Sequence, residues 1–137
     1  MKKMNPVVHF ELPVSDRDRA CDFYSAAFGW EAEKLGPEMG NYTVVSTSER
    51  GEDRFPKQKG MINGGFYTKV NEKNYPSVVI AVDDIYESMK EVEKAGGEVL
   101  GGSHGKGKPD DIPGVGLYAS IIDTEGNRVG ILQPKGM

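Results

Sequence analysis

The sequence predicts an α+β fold made of two copies of a β-α-β-β-β module. Three observations carry that prediction. Residues 7–14 alternate and are rich in β-formers, and a capped, apolar-striped helix ending at glycine follows them. Residues 77–82 open a second unit of the same design. His9/Ser77, Leu12/Ile80, Val14/Val82, Asp16/Asp84 and Gly29/Gly97 all correspond at one offset of 68 residues, without a gap.

In the first strand, period-two geometry puts Val8, Phe10, Leu12 and Val14 on one face, and His9, Glu11 and Pro13 on the other. Pro13 cannot donate to a ladder, so the strand is expected at an edge or bent there. Ser15 or Asp16 caps the helix that follows. Its core-facing stripe is expected to be Ala20, Phe23, Tyr24, Ala27 and Phe28, with Gly29 stopping it in a left-handed conformation. A short strand is expected over 30–35 and a clear one over 42–47. The charged segment 48–60 reads as a loop or hairpin arm, with Pro56 discouraging regular pairing. Residues 61–67 form a strand in which Gly64 and Gly65 mark a bulge or a close approach. Residues 68–75 connect the halves.

The second half opens with a strand over 77–82, capped at Asp83-Asp84. Its helix carries Ile85, Met89, Val92 and Ala95, and Asp84 with Glu87 has capping-box spacing. Gly96-Gly97 ends the helix and 98–100 resumes a strand. Residues 101–116 are rich in Gly, Lys, Asp and Pro and are expected outside the core. Strands over 118–122 and 128–133 flank a turn at 123–127. The chain is therefore expected to be a single domain, 1–137, with modules at about 7–67 and 76–133.

Composition narrows the function. A chain of 137 residues can bury one continuous core, and 37% hydrophobic with 28% charged residues excludes long disorder. The net charge of -4 gives no bulk attraction to nucleic acid or anionic lipid. No stretch approaches the roughly 20 apolar residues of a membrane helix, and no apolar run follows Lys2-Lys3 as a signal segment would require. Cys21 is the only cysteine, which excludes an intramolecular disulfide and multi-cysteine metal sites. It is expected partly buried, as a small hydrophobe. A cytoplasmic protein is the expectation.

His9 and Glu11 share a strand face and suit a carboxylate–imidazole pair for proton transfer. The competing reading is a polar rim or a buried, hydrogen-bonded histidine. Asn63, Arg128, Tyr42 and Tyr118 fall on the same inward phase as candidate substrate contacts; Asn63 and Arg128 suit an anionic or carbonyl group. Ordinary solvated strand positions are the alternative for these four. Gly65 and Gly130 hold matching places in the two halves, either leaving room for a ligand or relieving crowding. Gly102-Ser103-His104-Gly105-Lys106-Gly107-Lys108 fits the start of a phosphate-binding loop. Pro109 follows where Mg²⁺ binding needs Ser or Thr, and no apolar-periodic helix comes after it. It reads as a loop or lid, with His104 solvated.

The opening His9-Phe10-Glu11-Leu12-Pro13-Val14-Ser15-Asp16, Phe23-Tyr24, Phe28-Gly29-Trp30 and the closing Asp123-Thr124-Glu125-Gly126-Asn127-Arg128-Val129-Gly130-Ile131 resemble the vicinal oxygen chelate superfamily. That group includes glyoxalase I, bleomycin-resistance proteins and extradiol dioxygenases. The resemblance spans nearly the whole chain, and Ile62-Asn63-Gly64-Gly65-Phe66 and Ile112-Pro113-Gly114-Val115-Gly116 look most like a glyoxalase-related subgroup of largely unassigned substrates. It implies curved mixed sheets around a cavity, often with dimerisation. Metal-dependent members hold an ion with one residue from each of four strands. Here those positions are His9, a residue at or near Gly65, Ser77 and Gly130, so one ligand type remains of four and no metal is expected. The resemblance also implies an Arg four residues after the first ligand where glutathione is held; this chain has Pro13.

Three functional readings follow. The first is a lyase- or isomerase-type enzyme acting on a small molecule, with His9 and Glu11 catalytic and no cofactor. The second is a sequestration protein in the style of bleomycin resistance, and the third a structural dimer with a vestigial cavity. The first is preferred, with a homodimer and a small-molecule ligand as the expected partners.

Overall fold

The structure is a computed structural model that describes residues 3–52, 56–103 and 105–135. The chain forms two compact units: an N-terminal unit, His9–Pro76, and a C-terminal unit, Ser77–Met137 with Met1–Val8.

The N-terminal unit runs β1 (Val7–Val14), α1 (Arg17–Phe28), β2 (Glu31–Lys34), a 3-10 turn (Pro37–Met39), β3 (Thr43–Ser46) and β4 (Asn63–Thr68). Its strands lie in the order β2-β3-β4-β1. β3 is antiparallel to both neighbours, and β1 runs parallel to β4, setting His9 opposite Asn63 and Glu11 opposite Gly65. The C-terminal unit runs β5 (Ser77–Ala81), α2 (Ile85–Lys94), β6 (Glu98–Gly101), β7 (Asp110–Ile112), β8 (Gly116–Ile122) and β9 (Arg128–Pro134). Its order is β6-β8-β9-β5, with β7 also paired to β8. Here too the first strand is parallel to the last, with Val79 opposite Gly130. The repeat read from the offset of 68 thus reappears in the ladders: Glu11 and Val79 each face a glycine. The α+β architecture with mixed sheets is the one expected.

Each unit packs its helix on one sheet face. In the N-terminal unit, Cys21, Val45 and Phe66 form the buried centre, with Leu12, Val14, Ala20, Tyr24 and Trp30 against them. In the C-terminal unit, Val82, Ile85, Met89, Val99, Ala119, Ile121 and Ile131 do the same. Strand alternation therefore sends the other phase of each sheet to the helix-free face. On β1 that phase carries His9 and Glu11.

Both helices start at an aspartate cap. Asp16 accepts from the Arg19 amide, and Asp84 from those of Tyr86 and Glu87, each satisfying first-turn donors that the helix cannot. Gly29 closes α1 at φ 73°, a conformation that favours glycine. The expected stripe of α1 is corrected. Its inner side runs through Ala20, Cys21 and Tyr24, while Ala27 is exposed, Phe23 is 57% exposed and Phe28 63% exposed. The two phenylalanines flank the buried line and lean on Tyr24, whose ring stacks on Trp30 at a centroid distance of 4.7 Å.

The segment 101–116 also departs from expectation, because it contains β7. A turn with Gly114 at φ 77° folds 110–112 back on β8, pairing Asp110 with Tyr118 and Ile112 with Gly116. The hairpin arm expected over 48–60 is present as a bridge between Arg50 and Pro56, although 53–55 lie outside the described residues. His104 lies outside them too.

Candidate functional site

Tyr42 is the residue that the helix-free face of the N-terminal unit is built around. The chain reaches it through a tight turn with Gly40 and Asn41 in left-handed conformations, at φ 66° and 56°. The Arg17 guanidinium ties that turn to α1, donating to the carbonyls of Leu35 at 2.8 Å and Asn41 at 3.0 Å. Tyr42 thus enters β3 from a fixed backbone. Its side chain lies on the His9/Glu11 face, because the other phase, Thr43 and Val45, is buried.

Across the β3–β4 ladder Val44 is opposite Gly65, so Tyr42 stands diagonal to that glycine on the same face. A Cβ added at Gly65 would overlap the Tyr42 hydroxyl and ring. The glycine is what lets the ring lie flat across β4 and reach β1. There His9 Nε2 is 2.8 Å from the Tyr42 hydroxyl, which donates to Glu11 Oε2 at 3.1 Å. His9 and Glu11 were expected as a direct pair; the phenol stands between them.

The proton positions follow from chemistry. The phenol has one proton and gives it to Glu11, so its oxygen accepts from His9. Neutral His9 then carries its proton on Nε2, leaving Nδ1 as its basic nitrogen. Burial holds the His9 pKa below its ordinary value of 6.5, against the opposing pull of Glu11. The imidazole is neutral at neutral pH.

Asn63 shares this face as the ladder neighbour of His9, and only 8% of it is exposed. Its Oδ1 accepts from the amides of Thr47 at 2.7 Å and Ser48 at 3.0 Å, tying down the chain where β3 ends. Its Nδ2 is buried with no hydrogen-bond partner among the described residues. Farther along the face, an open cleft of about 850 Å³ is lined by Glu31, Glu33, residues 46–51 and Gly29. These residues were missed in the sequence. The signal was the alternation of Glu31-Ala32-Glu33-Lys34, whose ladder puts both glutamates on the phase of Ser46 and Val44.

Arg128 and Tyr118 belong to the C-terminal unit and lie on its helix-free face with Ser120 and Gly130. Arg128 donates to Ser120 Oγ at 3.3 Å. Tyr118 repeats the geometry of Tyr42. It precedes the residue opposite Gly130 by two, and a Cβ on Gly130 would come 2.7 Å from its hydroxyl. Ser77 and Val79 occupy the places of His9 and Glu11, so the imidazole and carboxylate are not repeated at those two positions. Of the six residues singled out in the sequence, three therefore form a hydrogen-bonded trio with Asn63 beside it, and Arg128 and Tyr118 lie on the helix-free face of the C-terminal unit.

Comparison with known proteins agrees with this architecture. Residues 7–48 match the family model described as bleomycin resistance protein-like N-terminal. A glyoxylase-like domain-containing protein of Didymella fabae is 32% identical over 128 residues, covering 92% of this chain and 91% of that protein. The chain belongs to the vicinal oxygen chelate superfamily. A probable chloroplastic lactoylglutathione lyase of Arabidopsis thaliana is 28% identical over 124 residues, or 88% of this chain; the match spans 33% of the plant protein. The solved structure of a Streptomyces coelicolor methylmalonyl-CoA epimerase covers 98% of both chains with a TM-score of 0.67 at 12% identity, a likeness of fold.

Within the superfamily a metal is held by side chains at four strand positions. The residues here do not fit that set. Gly65 and Gly130 have no donors, and the space beside each is taken by a tyrosine ring. Among the described residues no three His, Cys, Asp or Glu side chains cluster as a metal site would require.

Proposed function

We propose that this protein is a glyoxalase-related enzyme of lyase or isomerase type, which moves a proton beside a carbonyl of a small molecule by a His9–Tyr42–Glu11 relay. The observation that carries this reading is the Tyr42 hydroxyl held between an imidazole and a carboxylate. His9 Nδ1 takes the proton from the carbon next to the carbonyl, and the C–H electron pair moves onto the carbonyl oxygen as an enolate. The Nε2 proton passes to the Tyr42 oxygen and the phenol proton to Glu11, so the imidazole returns to neutrality. Running the relay backwards returns the proton to substrate at another position, or after a leaving group has departed. Neither the standard metal nor glutathione takes part: of the four metal positions only His9 carries a usual ligand, and Pro13 stands where the family's glutathione-holding Arg would be. Asn63 is proposed as a substrate contact of the N-terminal unit, Arg128 and Tyr118 as those of the C-terminal unit. A homodimer in the cytoplasm completes the reading.

The test is a thermal-shift screen of carbonyl compounds, followed by deuterium exchange at the adjacent carbon of each binder. Exchange by the native protein, reduced by about 100-fold or more in His9→Ala and in Tyr42→Phe, is expected. Exchange undiminished in His9→Ala would remove the relay. The match of residues 7–48 to a bleomycin resistance-type model favours a second reading, sequestration. Ligands that bind tightly and never exchange would select it.

A further inference from the structure

We propose that the helix-free face of the C-terminal unit holds a binding site for a carboxylate, built by Arg128 and Ser120. The repeat shows what is particular to this copy. Asn63 precedes Gly65 by two residues on β4, and Arg128 precedes Gly130 by two on β9. Val44 lies opposite Gly65, and Ser120 opposite Gly130. In the N-terminal unit these two places hold an amide, whose oxygen is taken up by the Thr47 and Ser48 backbone, and an apolar side chain. In the C-terminal unit they hold a guanidinium and a hydroxyl, so donors gather on the last two strands of the module.

Arg128 donates from Nη2 to Ser120 Oγ at 3.3 Å, which lays its guanidinium along the sheet. It forms no ion pair among the described residues, although Glu98 stands on the same rung, across Ile122. Ser120 is only 4% exposed, and while its oxygen accepts from Arg128 its own proton goes to no described residue. A buried hydroxyl ordinarily has its donor satisfied, so a donor is left for a ligand here. The guanidinium adds further N–H groups in the planar fork that matches a carboxylate. Beyond Ser120 the Tyr118 hydroxyl stands 2.7 Å from where a Gly130 Cβ would lie and closes that end of the floor. One guanidinium with Glu98 on its rung suits a singly charged, planar carboxylate; a phosphate dianion would bring surplus negative charge beside that glutamate. The carboxylate site rests on the reading of Arg128 and Tyr118 as substrate contacts and names the group they contact, but it needs no proton transfer.

Titration of the isotope-labelled full chain with pyruvate at constant ionic strength, followed by the Arg128 Nε–H signal in NMR, tests it. Pyruvamide serves as the neutral control and inorganic phosphate as the rival anion. Pyruvate should shift the Arg128 signal saturably, together with the amides of Ser120 and Gly130, and pyruvamide should not. Arg128→Gln should abolish the amide shifts. Arg128→Lys keeps the charge but loses the fork, and should weaken binding by about 10-fold or more, the scale of a hydrogen bond to a charged group. Ser120→Ala should weaken it by about 2- to 10-fold, the scale of a neutral one. A shift that never saturates, an equal response to pyruvamide, or undiminished binding by Arg128→Lys overturns the site. Phosphate bound as tightly as pyruvate overturns the choice of carboxylate. Should Arg128→Gln not fold, the pyruvamide control and Ser120→Ala decide. Deuterium exchange read on the same samples keeps the two readings apart. Exchange without an Arg128 shift overturns the site and leaves the relay, whereas a saturable shift without exchange supports the site and counts against the relay.

Discussion

Tyr42 fills the volume that a side chain at position 65 would take, and its hydroxyl overlaps the point where a Cβ on Gly65 would sit. The two residues are diagonal neighbours on adjacent strands, and each makes the other necessary. Gly65→Ala on a strand would ordinarily stabilise by about 0.5–1 kcal/mol, because glycine loses more backbone freedom on folding. Here the added methyl forces the ring out of place, and we expect a net loss of about 1–3 kcal/mol in urea unfolding. With Tyr42→Ala already present the clash is gone, so the second substitution should cost little. A cycle in which the two changes simply add would show that the ring and the glycine are independent.

His9 sets a pH dependence whose sign follows from its burial. Its folded pKa lies below the ordinary 6.5, because desolvation outweighs the attraction of Glu11. Above about pH 6.5 the imidazole is neutral in both states and adds no slope. As pH falls below that value the unfolded chain takes up the proton first, so stability declines through the window down to the folded pKa and then levels. Thermal unfolding between pH 7.5 and about 5 should show this decline, and His9→Asn should flatten it. Glu11→Gln removes the group that raises the pKa and should push the ring titration seen by NMR lower still. A rise instead would mean that the carboxylate is not what opposes desolvation.

How far these features were legible in the sequence depends on how local they are. The strand, cap, helix and glycine stop around Val14, Asp16 and Gly29 are set by neighbours in the chain, and the repeat at Val82, Asp84 and Gly97 repeated the signal. Alternation likewise placed His9, Glu11, Asn63 and Tyr42 on one phase. What alternation could not supply is the β3–β4 register that sets Tyr42 diagonal to Gly65, so the phenol was expected as a substrate contact and not as the bridge between His9 and Glu11. Phe23 and Phe28 misled for the converse reason. Their spacing is helical, but which side of α1 meets the sheet is decided by Cys21 packing against Val45 and Phe66. The strand β7 was hidden because Gly, Lys and Pro around it weaken any local signal, and its pairing to β8 is made by the turn at Gly114.

Cys21 is expected to be inert toward thiol reagents in the native state. It is buried in the core of the N-terminal unit, and that burial raises its pKa above the ordinary thiol value, against the weaker influence of Lys34 and Arg17. Little thiolate then exists at neutral pH, and access is restricted. Disulfide-exchange labelling should be slower than for an unfolded control by on the order of tenfold or more, rising to the control rate only through unfolding. Fast labelling of the folded chain would show that the helix opens locally at Cys21.

Thr43 offers the most direct measure of how the helix-side face is packed. It is fully buried opposite Phe66, and its Oγ1 has no hydrogen-bond partner among the described residues. A buried hydroxyl without a partner costs about 1–3 kcal/mol, whereas a methyl of the same shape loses nothing on leaving water. Thr43→Val keeps the β-branched form that the strand favours and replaces the hydroxyl by an apolar group. Unfolding in urea should therefore show no loss, and a gain of up to roughly 2 kcal/mol with an unchanged slope. The reverse change at the next residue of the same phase, Val45→Thr, introduces the same defect where none exists and should cost about 1–3 kcal/mol. If Thr43→Val instead destabilises the protein by a similar amount, the hydroxyl is bonded in solution and the face is held by a polar contact rather than by packing alone.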